Sequence, residues 1–229
     1  MSSFVLIPGA GGTASFWYRV IPLLEARGHD AIAVDLPGAD ESAGLPEYTD
    51  LVIAAIGGRQ DVVLVAQSMG AFTAPMVCAR VPVGLLVLLN AMIPCPGETP
   101  GEWWGNTGSQ EARVAAAQDG GYPAEIDLDT YFVHDLPAEV LASGLAPGSQ
   151  EADIAFGQPC AIDQWPGVPT RVISGRGDRF FPLDFQRRLA KDRLGLDVDV
   201  VPGGHLAALS YPAELTAQLS SYLDHPAGS

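Results

Sequence analysis

Nine residues, Val62-Val63-Leu64-Val65-Ala66-Gln67-Ser68-Met69-Gly70, restrict the fold more than any other stretch of this chain. The apolar run Val62 to Ala66 reads as a strand buried on both faces, and the small-residue segment from Gly70 to Arg80 reads as a helix. Between them lies a turn too tight for bulky neighbours. A serine at such a corner has its hydroxyl pushed out at the strand's end, beside the unsatisfied N–H groups of the helix's first turn. It is placed to attack a carbonyl carbon. The pattern Gly-x-Ser-x-Gly is met with Ala66 in its first position, a departure that still leaves a small side chain at the crossing.

The rest of the chain repeats this strand-then-helix arrangement. Phe4 to Ile7 is a short apolar run closed by Pro8-Gly9, followed by the flexible turn Ala10-Gly11-Gly12-Thr13. Ser15 is expected to cap a helix reaching about Ala26, with Pro22 dividing it into two short pieces. Asp30 to Val34 reads as a second strand, Tyr48 to Ile56 as a helix, Val83 to Asn90 as a fourth strand. Pro75 is expected to perturb the helix behind Ser68. The alternation then stops. From 93 to 166 the chain is rich in Pro, Gly, Trp and acidic residues, with weak helical stretches near Ser109 to Gln118 and Pro137 to Ser143. It resumes with strands Thr170 to Ser174 and Asp197 to Val201 and helices near Leu183 to Leu194 and Pro212 to Leu223. The expectation is an α/β protein: a mostly parallel central sheet of about six strands flanked by helices, with an inserted, mainly helical lid. Residues 1–92 and 167–229 form the core, and 93–166 the lid.

Composition excludes some functions. The formal net charge is −15 and the sequence pI about 4.4, so polyanions and anionic membrane surfaces are repelled, and no nucleic-acid or membrane partner is expected. Cys78, Cys95 and Cys160 are widely spaced and form no metal-ligand pattern, so they read as free, mostly buried thiols with no metal site. The N-terminus lacks a basic n-region, and the longest apolar segment, Val83 to Leu89, falls far short of the roughly 20 residues a membrane span needs. The cytoplasm is the expected compartment.

A serine hydroxyl becomes a useful nucleophile only when a base removes its proton, and that base needs a third group to fix its tautomer. Asp178 follows the strand Thr170 to Ser174, and His205 follows the strand Asp197 to Val201 on the turn Pro202-Gly203-Gly204. Carboxyl ends of parallel strands share one edge of the sheet, so Ser68, Asp178 and His205 are expected to meet there. The oxyanion that Ser68 would generate needs backbone donors, for which Met69 and Ala10 are the candidates, with Gly9, Gly11 and Gly12 allowing close approach. Asp178 has a second reading, as a partner of Arg176 or Arg179. Asn90, after the fourth strand, cannot supply a carboxylate. His134 with Asp135 is expected to cap a helix start, with a second acid/base pair as the other reading. Trp103, Trp104, Tyr131 and Phe132 are open between lining an apolar pocket, with His134 beside it, and forming the lid's own small core; His225 reads as tail.

With the chain order Ser, Asp, His, the sequence resembles the α/β-hydrolase superfamily over nearly its whole length. Within it, the chain is similar to the small, lidded esterase-like group that includes plant methylesterases and hydroxynitrile lyases. The runs Pro94-Cys95-Pro96-Gly97-Glu98-Thr99-Pro100-Gly101-Glu102-Trp103-Trp104 and Tyr131-Phe132-Val133-His134-Asp135-Leu136-Pro137 resemble those of a bacterial branch of hydrolases. The resemblance implies a serine esterase acting on a small-molecule ester through an acyl-enzyme, with no cofactor. It departs at Pro8, where a histidine commonly precedes the oxyanion-loop glycine, so that loop needs support from elsewhere. A hydroxynitrile lyase would typically have a lysine after the catalytic histidine, whereas Leu206 stands here. A receptor that binds without turnover is the non-enzymatic alternative.

Overall fold

The computed structural model describes residues 1–143 and 150–224, so His225 lies outside the described residues. Among these, six strands form one sheet: β1 (Ser3–Ile7), β2 (Asp30–Ala33), β3 (Val62–Gln67), β4 (Leu85–Leu89), β5 (Thr170–Gly175) and β6 (Val198–Val201). Their order is β2-β1-β3-β4-β5-β6, and every neighbouring pair is parallel. The chain leaves β1 toward β2 on one side and returns to β3 on the other, so the strand order reverses between β1 and β3. In open parallel sheets the crevice beyond the carboxyl ends at such a reversal is where ligands bind. The register pairs Ile7 with Ala66, which sets the loop after β1 against Gln67 and Ser68.

Both faces of the sheet are covered because alternate residues of each strand point opposite ways. Val5, Ile7, Leu64, Ala66, Leu86 and Leu88 join one buried cluster, which α2 (Leu45–Ile56), α3 (Gly70–Cys78) and α9 (Leu183–Leu194) complete. Phe4, Leu6, Val63, Val65, Val87 and Leu89 face the other way, against Trp17, Leu24 of α1 (Ile21–Glu25), and Leu215 and Leu219 of α11 (Pro212–Asp224). This explains the unbroken apolar runs: a strand sealed on both faces has no water side on which to place polar residues. No helix among the described residues is long and apolar enough to cross a membrane.

Several elements differ from the sequence expectation. Ser15 caps nothing; a single 3-10 turn, Ala14–Trp17, precedes α1, which carries Pro22 in its first turn. There a proline's missing N–H has no intrahelical partner to lose. Pro75 lies inside α3, where it removes the bond to the Ala71 carbonyl, yet the helix runs on to Cys78 because every residue from Gly70 to Val77 is buried. Of the three thiols only Cys160 is fully buried, and Cys95 is exposed.

Residues 93–166 are more helical than their composition suggests. They contain α4 (Pro100–Thr107), α5 (Ser109–Gly120), α6 (Leu128–Tyr131), α7 (Ala138–Ala142) and α8 (Asp153–Gly157). The start of α4 is a capping box: Thr99 Oγ accepts from Glu102 N and the Glu102 carboxylate accepts from Thr99 N, with Pro100 in the first turn. Thr99-Pro100-x-Glu102 is therefore the local signal that an aromatic, glycine-rich segment nevertheless forms a helix. Trp103, on this helix, is fully buried in the same cluster as the sheet, packed edge-on against Phe181 and Phe185, and its indole N–H donates to Ile93 O. Neither reading open at the sequence level, pocket lining or a separate lid core, describes it.

Candidate active site

The corner after β3 is strained and enclosed. Ser68 has φ +51°, a left-handed conformation that a side-chain-bearing residue adopts only when its surroundings enforce it. The enforcement is visible: Ser68 N donates to Leu89 O at 3.0 Å and Ser68 O accepts from Met92 N at 3.0 Å, pinning the turn to the end of β4. Glycine is required on either side. A Cβ at Gly70 would lie 2.5 Å from Pro8 O, and one at Gly9 would lie 2.2 Å from Gln67 Oε1 and 2.9 Å from Ser68 Cβ. Ala66, by contrast, replaces the first glycine of the pattern without penalty, since its side chain is buried in the core on the sheet's α2 and α3 face.

Three side chains from separate strand ends meet here. Ser68 Oγ lies 3.1 Å from His205 Nε2, and His205 Nδ1 lies 2.9 Å from Asp178 Oδ2. The other carboxylate oxygen, Asp178 Oδ1, accepts from Phe180 N at 2.8 Å and Phe181 N at 2.9 Å, so the acid is fixed by its own loop. Arg179 turns away, donating to Thr130 O and lying over the Tyr122 ring, rather than pairing with Asp178. The imidazole is enclosed by the edges of Phe132, Phe180 and Phe181, with ring centroids 5.6, 5.1 and 5.2 Å away. Ser68, Asp178 and His205 are all buried. A hydroxyl, an imidazole and a carboxylate in this order, screened from bulk water, can move a proton off the hydroxyl as it attacks.

The turn that carries His205 is held by residues outside the expected serine, histidine and acid. Asn90, at φ +45°, donates through Nδ2 to the carbonyls of Gly204 and His205, both at 3.0 Å, and accepts through Oδ1 from Gly175 N at 2.7 Å. It joins β4, β5 and the histidine turn in one buried side chain; a lone polar residue ending an apolar strand is the signal that marks it. Asp135 caps no helix. The residue before α7 is Pro137, without a side-chain cap bond, and Asp135 Oδ2 instead accepts from Gly204 N at 2.6 Å. His134 packs on the same turn, its ring less than 3 Å from where a Gly204 Cβ would stand. Burial lowers the His134 pKa, helped by Arg179, against the opposing pull of Asp135 and the Gly177 carbonyl.

Among the remaining expected site residues, Phe132 touches the imidazole, and Trp104 packs on Phe180 and Phe181. Tyr131 is fully buried, its hydroxyl donating to Pro123 O, so like Trp103 it presents no surface to a pocket. Met69 is buried at the start of α3 and Ala10 is exposed in the loop after β1. Among the described residues no hydrogen bond takes up either N–H.

Fold and geometry together define a class, the α/β-hydrolases, in which a serine on a strained strand-to-helix corner is served by a histidine and an acid from later strand ends. The alpha/beta hydrolase family model matches residues 4–219, and the chain belongs to that family. It is 25% identical to norfluorocurarine synthase 1 from Strychnos over 96% of this chain and 95% of that one. To a pyrethroid hydrolase from Sphingobium wenxiniae it is 27% identical, over 99% and 89% of the two chains. The crystal structure of polyneuridine aldehyde esterase superposes with a TM-score of 0.79 at 22% identity, covering 98% of this chain and all of that one, which establishes the shared fold.

Proposed function

We propose that this chain is a serine esterase that cleaves a small carboxylic ester through an acyl-enzyme. The observation that carries the reading is the relay from Ser68 through His205 to Asp178, at 3.1 and 2.9 Å, with Ser68 on a corner at φ +51°. Ser68 Oγ adds to the ester carbonyl as its proton passes to His205 Nε2, and Asp178 stabilises the imidazolium. The carbonyl oxygen takes the negative charge and is held by the N–H groups of Met69 and Ala10. Collapse of the tetrahedral adduct expels the alkoxide, which takes the proton from His205. Water, deprotonated by the same histidine, then releases the acid. The names of the relatives, a pyrethroid hydrolase and polyneuridine aldehyde esterase among them, support ester cleavage without fixing the ester.

The test is a burst of 4-nitrophenol from 4-nitrophenyl acetate, together with labelling of the enzyme by a fluorophosphonate. Both are expected in the parent chain and absent in Ser68→Ala, with a loss of at least about 10³-fold in kcat. No burst and no labelling in the parent chain would overturn the reading. Cyanide release from mandelonitrile without ester turnover would replace it with lyase chemistry, against which Leu206 stands where that reading wants a lysine, and Lys191 pairs with Asp197 on the surface.

A further inference from the structure

Pro8 leaves the loop after β1 without the side chain that commonly steadies it, and the structure supplies a substitute from a distant part of the chain. Residues 9–12 form a tight turn in which Gly12 N donates to Gly9 O at 3.2 Å and Gly11 takes φ +86°. A positive φ at the third position marks a type II turn. Such a turn converts to type I by a flip of its central peptide, here the Ala10–Gly11 unit, and glycine does little to prevent it. The N–H of that same peptide, on Gly11, donates to Glu151 Oε2 at 2.7 Å. If the peptide flipped, the Ala10 carbonyl would face the carboxylate instead.

Glu151 is itself firmly seated. It is 7% exposed, and its other oxygen accepts from Tyr48 Oη at 2.5 Å. The next residue, Ala152, donates from its N–H to Gly38 O at 2.7 Å, and a Cβ on Gly38 would come within 2.9 Å of Glu151 Oε2. The loop after β1, the loop after β2, Tyr48 of α2 and the chain just before α8 thus close around one carboxylate. Burial raises the pKa of Glu151 against the opposing hydrogen bonds from Tyr48 and Gly11, and burial with the Glu151 bond raises that of Tyr48, so the phenol stays protonated as the donor. A carboxylate this enclosed is costly unless its bonds are made, and both oxygens have donors.

We propose that Glu151 is a positioning residue that locks the oxyanion loop: the Ala10 N–H belongs to the Gly9–Ala10 peptide, and by pinning the Ala10–Gly11 peptide that follows it the carboxylate anchors the turn that carries this donor beside Ser68. The proposal rests on the serine-esterase reading for its catalytic consequence, and on the hydrogen bonds alone for the lock itself. Glu151 touches no reacting atom. Its effect is confined to the transition state, where a donor that wanders forfeits part of the roughly 10²–10³ in rate each oxyanion donor contributes.

The experiment compares the parent chain with Glu151→Ala, Glu151→Gln and Tyr48→Phe. In Glu151→Ala the expected result is a kcat about 10- to 100-fold lower with KM within about threefold of the parent, and faster amide hydrogen exchange in the peptide spanning residues 9–12. Glu151→Gln keeps an acceptor oxygen for Gly11 N–H and is expected to restore kcat to within about fivefold; Tyr48→Phe, which leaves that bond in place, is expected to stay within about threefold. A trifluoromethyl ketone probes the oxyanion directly: Ser68 Oγ adds to its carbonyl carbon, the hydroxyl proton goes to His205, and the carbonyl π pair becomes the alkoxide. Its inhibition is expected to weaken in step with kcat in Glu151→Ala. Unchanged exchange at residues 9–12 overturns the lock, whatever the activity. Faster exchange with unchanged kcat and unchanged ketone inhibition overturns the catalytic role. A parent chain that shows no ester turnover and no fluorophosphonate labelling counts against the esterase reading instead, and the exchange measurement still decides the lock.

Discussion

Asn90 shows how much of this site depends on single side chains that do no chemistry. Its three bonds reach the carbonyls of Gly204 and His205 and the N–H of Gly175, and it occupies a left-handed position that a short amide side chain tolerates better than most. Replacing it with alanine leaves the Gly204 carbonyl and the Gly175 N–H without this partner, leaves His205 O with only its 3.4 Å bond from Gln67 Nε2, and keeps the unfavourable φ. Asn90→Ala is therefore expected to lose roughly 2–4 kcal/mol of unfolding free energy in urea titration. Its kcat is also expected to fall, because the histidine turn loses its anchor. Gly70 answers to a different force. A methyl group there meets Pro8 O at 2.5 Å, a backbone atom that no rotamer change can move aside, and Ile7 Cγ2 at 2.9 Å. The Gly70→Ala chain can accommodate its Cβ only by moving the loop after β1 away from Ser68, and ester turnover is expected to fall by more than tenfold even where the protein still folds.

At the scale of elements, an ion pair adds to the apolar packing of Trp103 on Phe185 in tying residues 93–108 to α9. Arg193, near the end of α9, forks onto the Glu98 carboxylate and also donates to Ile93 O, and both side chains are nearly enclosed. Burial by itself would raise the Glu98 pKa, but the bonds from Arg193, Asn106 and Cys95 N–H together outweigh it and hold the carboxyl below its ordinary value. A depressed folded-state pKa means stability that is present above the unfolded carboxyl's range and is lost as pH falls through the folded value. Glu98→Gln is thus expected to be markedly less stable than the parent at pH 7, with the gap narrowing below about pH 4, as equilibrium unfolding across pH would record. The thermodynamic link also has a location: it joins the start of α4 to α9, whose amino end follows the Asp178 loop.

Over the whole molecule, the segment between β4 and β5 does not rest on the sheet as a detached cover. Trp103, Ala155, Cys160 and Ile162 share one buried cluster with strand residues from β1, β3, β4 and β5. Trp103→Ala is expected to cost about 3–5 kcal/mol and to lower the melting temperature of the entire protein. Near-ultraviolet and far-ultraviolet signals should then disappear in one coincident transition; two separated transitions would show that this segment unfolds by itself.

Local sequence alone determined the strands, the corner at Ser68 and the order of serine, acid and histidine, because each is written in a few adjacent residues: an apolar run buried on both faces, a small-residue turn, a polar residue just past a strand. The parallel sheet converted that order into proximity, since strand ends on one edge must converge. Apart from the meeting of Ser68, Asp178 and His205, what lay beyond the sequence was the bonding between residues far apart in the chain. The Glu98–Arg193 fork spans 95 positions and the Glu151–Gly11 bond 140. Asp135 reads locally as a helix cap and is in fact the acceptor for Gly204 N, and Trp103 reads as part of a lid and is part of the main core. A side chain's hydrogen-bonding capacity is fixed by its identity, but its partner is chosen by which buried groups the completed packing leaves unpaired, and only the tertiary structure decides that.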